Sequence, residues 1–164
     1  MTRYLSITLQ HRDVTCVAEL LDKDAPRTCE AVWQGLPQAG PVHHAKYARN
    51  EVYTMVPRFA GAEPGQENPT VTPIPGDLVY FSFDGGMLDR EFKEEKDLQD
   101  LSGVIDLAMF YGRNNLLING DVGWVPGNVY GAVVENLAAF AEACHDVWRS
   151  GSVGERLIYQ RHSG

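Results

Sequence analysis

The residues best suited to chemistry gather in two short segments. In Arg49-Asn50-Glu51-Val52-Tyr53-Thr54-Met55 a carboxylate stands two residues from a phenol. In Phe110-Tyr111-Gly112-Arg113 a second phenol stands two residues from a guanidinium. Alternate residues of a strand share a face, so Glu51, Tyr53 and Met55 are predicted on one side and Val52 and Val56 on the other. A carboxylate is expensive to strip of water without a partner. Glu51 therefore either pairs with Arg49 or Arg113 at a pocket or faces water at a strand edge. Tyr111 and Arg113 fall at a predicted strand end, where side chains project toward a barrel mouth. Trp124 sits in a glycine-rich stretch, outside any helical stripe, and is a further candidate for contacting a ligand or a second subunit.

Other chemistries find no support. His43 and His44 are adjacent, so a regular strand turns them to opposite sides and they cannot chelate one ion. No further histidine lies near Pro75-Gly76-Asp77. No metal site and no cofactor are expected. Gly-x-Ser-x-Gly, P-loop and dinucleotide fingerprints are missing, and Gly120-Asp121-Val122-Gly123 lacks the strand-to-helix context of a phosphate loop. Cys16, Cys29 and Cys144 are odd in number and in no metal-ligand spacing, so they read as reduced and mostly buried.

Charge narrows the partners. The 22 acidic against 14 basic residues give a net charge of -8, which repels phosphate backbones and anionic membranes. No apolar run approaches the roughly 20 residues that cross a bilayer, and Met1-Thr2-Arg3-Tyr4 leads into alternation rather than a signal peptide. A cytoplasmic location is expected. At 164 residues the chain fits one domain, residues 1–164, able to build its own core.

The elements that must position these residues follow from periodicity. Leu5, Ile7 and Leu9 alternate with polar residues, His11-Arg12-Asp13 turns the chain, and Cys16, Ala18 and Leu20 repeat the alternation, which predicts a hairpin. Asp24 can cap a helix starting at Ala25-Pro26, with Cys29, Val32, Trp33 and Leu36 on its apolar stripe and Gly35-Leu36-Pro37 as its stop. Extended segments are predicted at Val42 to Tyr47, Glu51 to Val56, Leu78 to Phe83, Val104 to Tyr111, Val129 to Val134 and Glu155 to His162. Gly61 to Pro75 reads as a long loop and Asp89 to Asp100 as a solvated, charge-dense excursion. Leu137, Phe140, Ala141, Cys144, Val147 and Trp148 recur at helical steps before Gly151. Trp33 and Trp148 are expected in the core. Seven or eight strands with two helices favour a mainly β, small closed barrel over alternating βαβ units.

Four segments carry a resemblance: Cys29-Glu30-Ala31-Val32-Trp33-Gln34-Gly35-Leu36-Pro37, Asn50-Glu51-Val52-Tyr53, Pro75-Gly76-Asp77-Leu78-Val79-Tyr80 and Met109-Phe110-Tyr111-Gly112-Arg113. In that order the chain resembles a bacterial cyclophilin-like family known as a domain of unknown function. The resemblance implies a compact barrel with two helices covering its ends. True cyclophilins rotate prolyl bonds beside an arginine in a Phe-His-Arg strand; that tripeptide is absent, and Arg49 and Arg113 stand in other contexts. The sequence thus points to a protein that takes a small organic molecule or short peptide at a barrel mouth lined by Arg49, Glu51, Tyr53, Tyr111 and Arg113. Prolyl isomerisation is one alternative. A homo-oligomeric interaction domain, joined through edge strands or the Trp124 region, is the other.

Overall fold

The computed structural model describes residues 1–84 and 103–163; the charged run at 89–100 lies outside them. The chain opens with β1 (Tyr4–Leu9) and β2 (Val14–Leu20), an antiparallel hairpin that pairs Ile7 with Cys16. Its predicted inward set, Leu5, Ile7, Leu9, Cys16, Ala18 and Leu20, is buried. The turn between them is fastened from afar. Glu155 accepts hydrogen bonds from the backbone N–H groups of His11 (2.7 Å), Arg12 (3.0 Å) and Arg156 (2.9 Å) and from the Arg12 guanidinium (3.0 Å).

Helix α1 (Pro26–Gly35) starts with proline in its first turn, where the missing N–H removes no helical bond. Asp24 does not cap it. The N-cap position is Ala25, without a side-chain cap, and the role passes to Glu67. That carboxylate accepts from Thr28 N–H at 2.8 Å, Thr28 Oγ1 at 2.9 Å and Arg27 N–H at 3.2 Å, which places negative charge at the helix's positive end. A cap from a residue 39 positions away leaves no local sequence pattern.

There follow β3 (Gln38–Pro41), β4 (His43–His44), β5 (Glu51–Pro57), β6 (Pro69–Thr70), β7 (Asp77–Asp84), β8 (Gly103–Phe110), β9 (Ile118–Asn119), β10 (Gly123–Trp124) and β11 (Gly127–Glu135). The chain then forms helix α2 (Leu137–Ser150) and β12 (Arg156–His162). Strand therefore dominates, and the main sheet is antiparallel in the order β3-β12-β1-β2-β11-β7-β8-β5-β4, with β6 pairing to β11. The extension predicted across Val42 to Tyr47 is realised as strand only at His43–His44. The sequence predicts a closed barrel, whereas the ladder forms an open path among the described residues. The two ends of that path are separated in sequence by Val42 alone. Gln38–Pro41 pairs with β12 and His43–His44 with β5, so one short stretch changes neighbours midway. Thr54 Oγ1 donates to the Pro41 carbonyl at 2.9 Å beside that change.

The sheet is apolar on both faces. The inner core contains Leu5, Ile7, Leu107, Tyr130, Phe140 and Tyr159, covered by α1 and α2. A second cluster forms on the outer face from Val79, Phe81, Ala108, Phe110 and Val129, under Leu117 and Ala48. All eight residues of β8 are buried because it serves both clusters. Helix α2 buries Phe140, Ala143, Cys144 and Val147. Trp148, expected in the core, is instead 62% exposed and stacks edge-on against His145, because it flanks that stripe rather than lying within it. Trp33 is half-buried, with the guanidiniums of Arg3 and Arg161 over its ring at 5.2 and 4.8 Å. Cys16, Cys29 and Cys144 are free and buried.

Candidate ligand-binding face

The β5–β8 register sets Glu51 opposite Phe110, Tyr53 opposite Ala108 and Met55 opposite Asp106. On the far side of β8, Phe81 also faces Asp106. Directly opposed residues share a face, so Glu51, Tyr53, Met55 and Asp106 all lie on the outer face with Phe81, Ala108 and Phe110. Two carboxyl groups are thereby set into apolar surroundings, and each residue is only 6% exposed. Tyr53 and Met55 are half-buried, leaving an accessible strip beside Glu51. His43, opposite Tyr53, packs its ring against the phenol with centroids 5.4 Å apart.

Burial, reinforced by the nearby charge of Asp106, pushes the Glu51 carboxyl well above the ordinary carboxylate range. Among the described residues, no hydrogen bond or ion pair reaches that carboxyl. A group held neutral in an apolar site can donate a hydrogen bond, or a proton, to an acceptor brought against it.

The structure distributes the other sequence-derived candidates around this face. Arg49 is exposed, with a left-handed backbone (φ 79°) just before β5. Arg113 is exposed just after β8. Neither forms an ion pair among the described residues, so the arginine pairing, one of two alternatives for Glu51, is not made. The loops bearing them are joined instead by asparagines. Asn50 Nδ2 donates to the Arg113 carbonyl at 2.9 Å, Asn50 N–H donates to Asn115 Oδ1 at 3.0 Å, and Asn115 Nδ2 donates to the Gly112 carbonyl at 2.7 Å. Gly112 suits this junction because a Cβ there would lie 2.6 Å from Asn50 Nδ2. Tyr111 turns to the inner face, where its hydroxyl lies 2.6 Å from His44 Nε2. Burial, with a smaller contribution from Cys144, pushes the Tyr111 phenol up to about 12. Burial also lowers the His44 imidazole. Trp124 is 57% exposed on the two-stranded β9–β10 ribbon, opposite Ile118.

Asp106 is the residue that sequence reasoning missed. Its signal was present: one carboxylate inside Gly-Val-Ile-Asp-Leu-Ala-Met-Phe, an otherwise apolar strand. Among the described residues no group of three or more His, Cys, Asp or Glu side chains is arranged to hold a metal ion. Two open grooves lie away from Glu51. One, about 540 Å³, runs between α1 and residues 59–64 past Arg27, Gln34 and Phe59. The other, about 390 Å³, lies between Pro41–His43 and Ser152–Arg156.

Residues 7–159 match the model of a family described as a protein of unknown function (DUF3830), and the chain belongs to that family. The fold is also similar to the solved structure of McbB in complex with tryptophan, with a TM-score of 0.65 at 21% identity. That similarity covers 98% of this chain but 45% of McbB, so the chain spans under half the length of its neighbour. No curated protein matches the sequence. No helix among the described residues is long and apolar enough to cross a membrane.

Proposed function

We propose that this protein binds a small organic molecule on the outer face of β5 and β8, with Glu51 as its polar anchor and Tyr53 and His43 beside it. The observation that carries this reading is a glutamate only 6% exposed whose carboxyl, among the described residues, meets no countercharge and no hydrogen bond. Such a group is a standing free-energy penalty, which a ligand acceptor at the carboxyl relieves. The ligand has an apolar or aromatic body, suited to the rings and methyl groups of the face, and a carbonyl or nitrogen that meets Glu51. McbB's partner in its solved complex, tryptophan, has this general make-up.

The closed, cyclophilin-like barrel belongs to the same proposal. It is supported by the single stretch Gln38–His44, which pairs with β12 and then with β5. Prolyl isomerisation is less well supported, because a carboxyl rather than a guanidinium projects from the strand face. A thermal-shift screen followed by calorimetry tests the binding site, since a ligand that prefers the folded state raises its apparent stability. Wild type should respond to aromatic metabolites, and Glu51→Gln should weaken the response. Equal affinity in that variant removes Glu51 from the site.

A second reading rests on the β9–β10 ribbon, where Ile118, Val122 and Trp124 are 42%, 60% and 57% exposed. These residues give the chain a surface for pairing with a second copy. Light scattering that shows only monomer at all concentrations rejects self-association.

A further inference from the structure

Several arginines are committed. Arg3 is engaged by Asp22 and Glu30, Arg12 by Asp146 and Glu155, Arg27 by Glu67, and Arg58 by Glu63 and Asp84. Arg161 lies over Trp33 and donates to its carbonyl at 2.8 Å. Arg49, Arg113, Arg149 and Arg156 differ: all four are exposed, and none makes an ion pair among the described residues. Of these, Arg49 and Arg113 flank the paired strands that carry Glu51 and Phe110. Carboxylates are not scarce in a chain with 22 of them. The segments that carry Arg49 and Arg113 adjoin, because Asn50, next to Arg49, donates to the Arg113 carbonyl and Tyr111 N–H bonds to the Asn50 carbonyl at 3.0 Å.

This junction is held rigidly. Asn115 braces it through the Pro73 and Gly112 carbonyls, and Arg49 keeps a left-handed backbone that a branched or bulky residue would adopt only under strain. Glu51 begins the strand two residues beyond Arg49, and Phe110, its cross-strand partner, ends the strand three residues before Arg113. Both arginines are anchored within three residues of the ends of the paired strands, at the end of the face where Glu51 lies. Two arginines without an ion pair among the described residues thus flank the end of the face where the buried carboxyl lies.

Resting on the Glu51 site proposed above, we infer that the ligand is an aromatic organic acid whose carboxylate is held by Arg49 and Arg113 while its other polar group meets Glu51. A guanidinium offers paired donors that match a carboxylate, and the net charge of -8 disfavours anions over the surface at large. Arylpropanoates have the required reach. The class includes aromatic amino acids and their 2-oxo acids, which share the carboxylate and differ at the second carbon, the position presented to Glu51.

The test titrates the protein by calorimetry with 3-phenylpropanoate, phenylpyruvate, phenylalanine and tryptophan, together with 3-phenylpropanamide, which keeps the ring but lacks the charge. At least one acid should bind, and the amide should bind about tenfold more weakly than 3-phenylpropanoate, the size expected for two partly exposed charge contacts. Comparing phenylpyruvate with phenylalanine identifies which second group Glu51 accepts. The double variant Arg49→Asn/Arg113→Gln should lower the affinity of the acids to that of the amide and leave the amide unchanged. Asparagine tolerates the left-handed backbone at position 49, and an unchanged melting temperature confirms that the variant folds. Equal binding of acid and amide, full acid affinity in the double variant, or no binding of any acid at millimolar concentration overturns the inference. If Glu51→Gln abolishes binding of acid and amide alike while the double variant changes nothing, the Glu51 site stands and the anionic clamp does not.

Discussion

Glu155 and Glu51 are the same residue type at nearly the same burial, 2% and 6% exposed, in opposite circumstances. Around Glu155, burial acts to raise the carboxyl, but hydrogen bonds from His11, Arg156 and Arg12 outweigh it and hold the group below its ordinary range. Around Glu51, burial acts with the Asp106 charge, and no group among the described residues opposes them. Glu67 at the head of α1 belongs with Glu155: burial is again opposed, here by Thr28 and Arg27, and the net effect is a lowered carboxyl. Burial alone therefore does not identify a site. The discriminating feature is whether the fold has already supplied the carboxyl with donors. Glu155 and Glu67, spent on fastening a turn and a helix end, are structural, whereas Glu51, which no donor among the described residues supplies, is available to a ligand.

The sharpest contrast comes from removing each group. Glu155→Ala strips the donors of the β1–β2 turn of their acceptor and leaves Arg12 partly buried beside Asp146 alone. It should lower stability by about 3 kcal/mol in urea unfolding at neutral pH; a loss below 1 kcal/mol, well inside the range of an ordinary surface change, would undo the comparison. Glu67→Ala removes the α1 cap and should lower stability by about 2 kcal/mol, read the same way. Glu51→Gln should have the opposite sign, stabilising the ligand-free protein by about 1 kcal/mol at neutral pH because no buried carboxyl need ionise or stay protonated against the solvent.

The pH dependence follows the same division. The carboxyl of Glu51 is raised on folding, so its contribution is most favourable below the ordinary glutamate range and is lost as pH rises toward the raised folded value. Across that window it should lower stability by up to about 1.4 kcal/mol per pH unit. The advantage of Glu51→Gln over wild type should therefore grow from pH 5 to pH 8 in paired melting curves. Glu155 is depressed on folding, so its contribution is present above the ordinary range and lost as pH falls through the lowered folded value. Stability lost on acidification should accordingly be smaller in Glu155→Ala than in wild type. A parallel pH profile for wild type and both variants would show that neither carboxyl is perturbed.

Local patterns were legible in the sequence to the extent that neighbours decide them. The β1–β2 alternation, the proline start and Leu36-Pro37 end of α1, and the stripe through Phe140, Cys144 and Val147 each depend on residues a few positions apart. What was not legible depends on contacts across the chain. Glu67 replaces Asp24 as the α1 cap, and Trp148 lies beside the buried stripe because the orientation of α2 on β2 decides which edge is covered. The same limit applies to the site. Alternation alone put Glu51 and Tyr53 on one face, but only the β5–β8 register brings Asp106 to that face and turns Tyr111 to the other. Of the two settings the sequence allows for Glu51, pairing with an arginine is not made among the described residues: Asn50 and Asn115 organise the intervening loops and leave Arg49 and Arg113 at the surface.

The most direct measurement is a pH titration of the glutamate side-chain carboxyl carbons by ¹³C NMR, with Glu51→Gln and Glu155→Ala used to assign the two resonances. The account predicts that the Glu51 resonance keeps its protonated position past the pH at which exposed glutamates have ionised, and that the Glu155 resonance is still ionised below it. Titration of Glu51 together with the exposed glutamates would contradict the account and remove the physical basis for placing a ligand there.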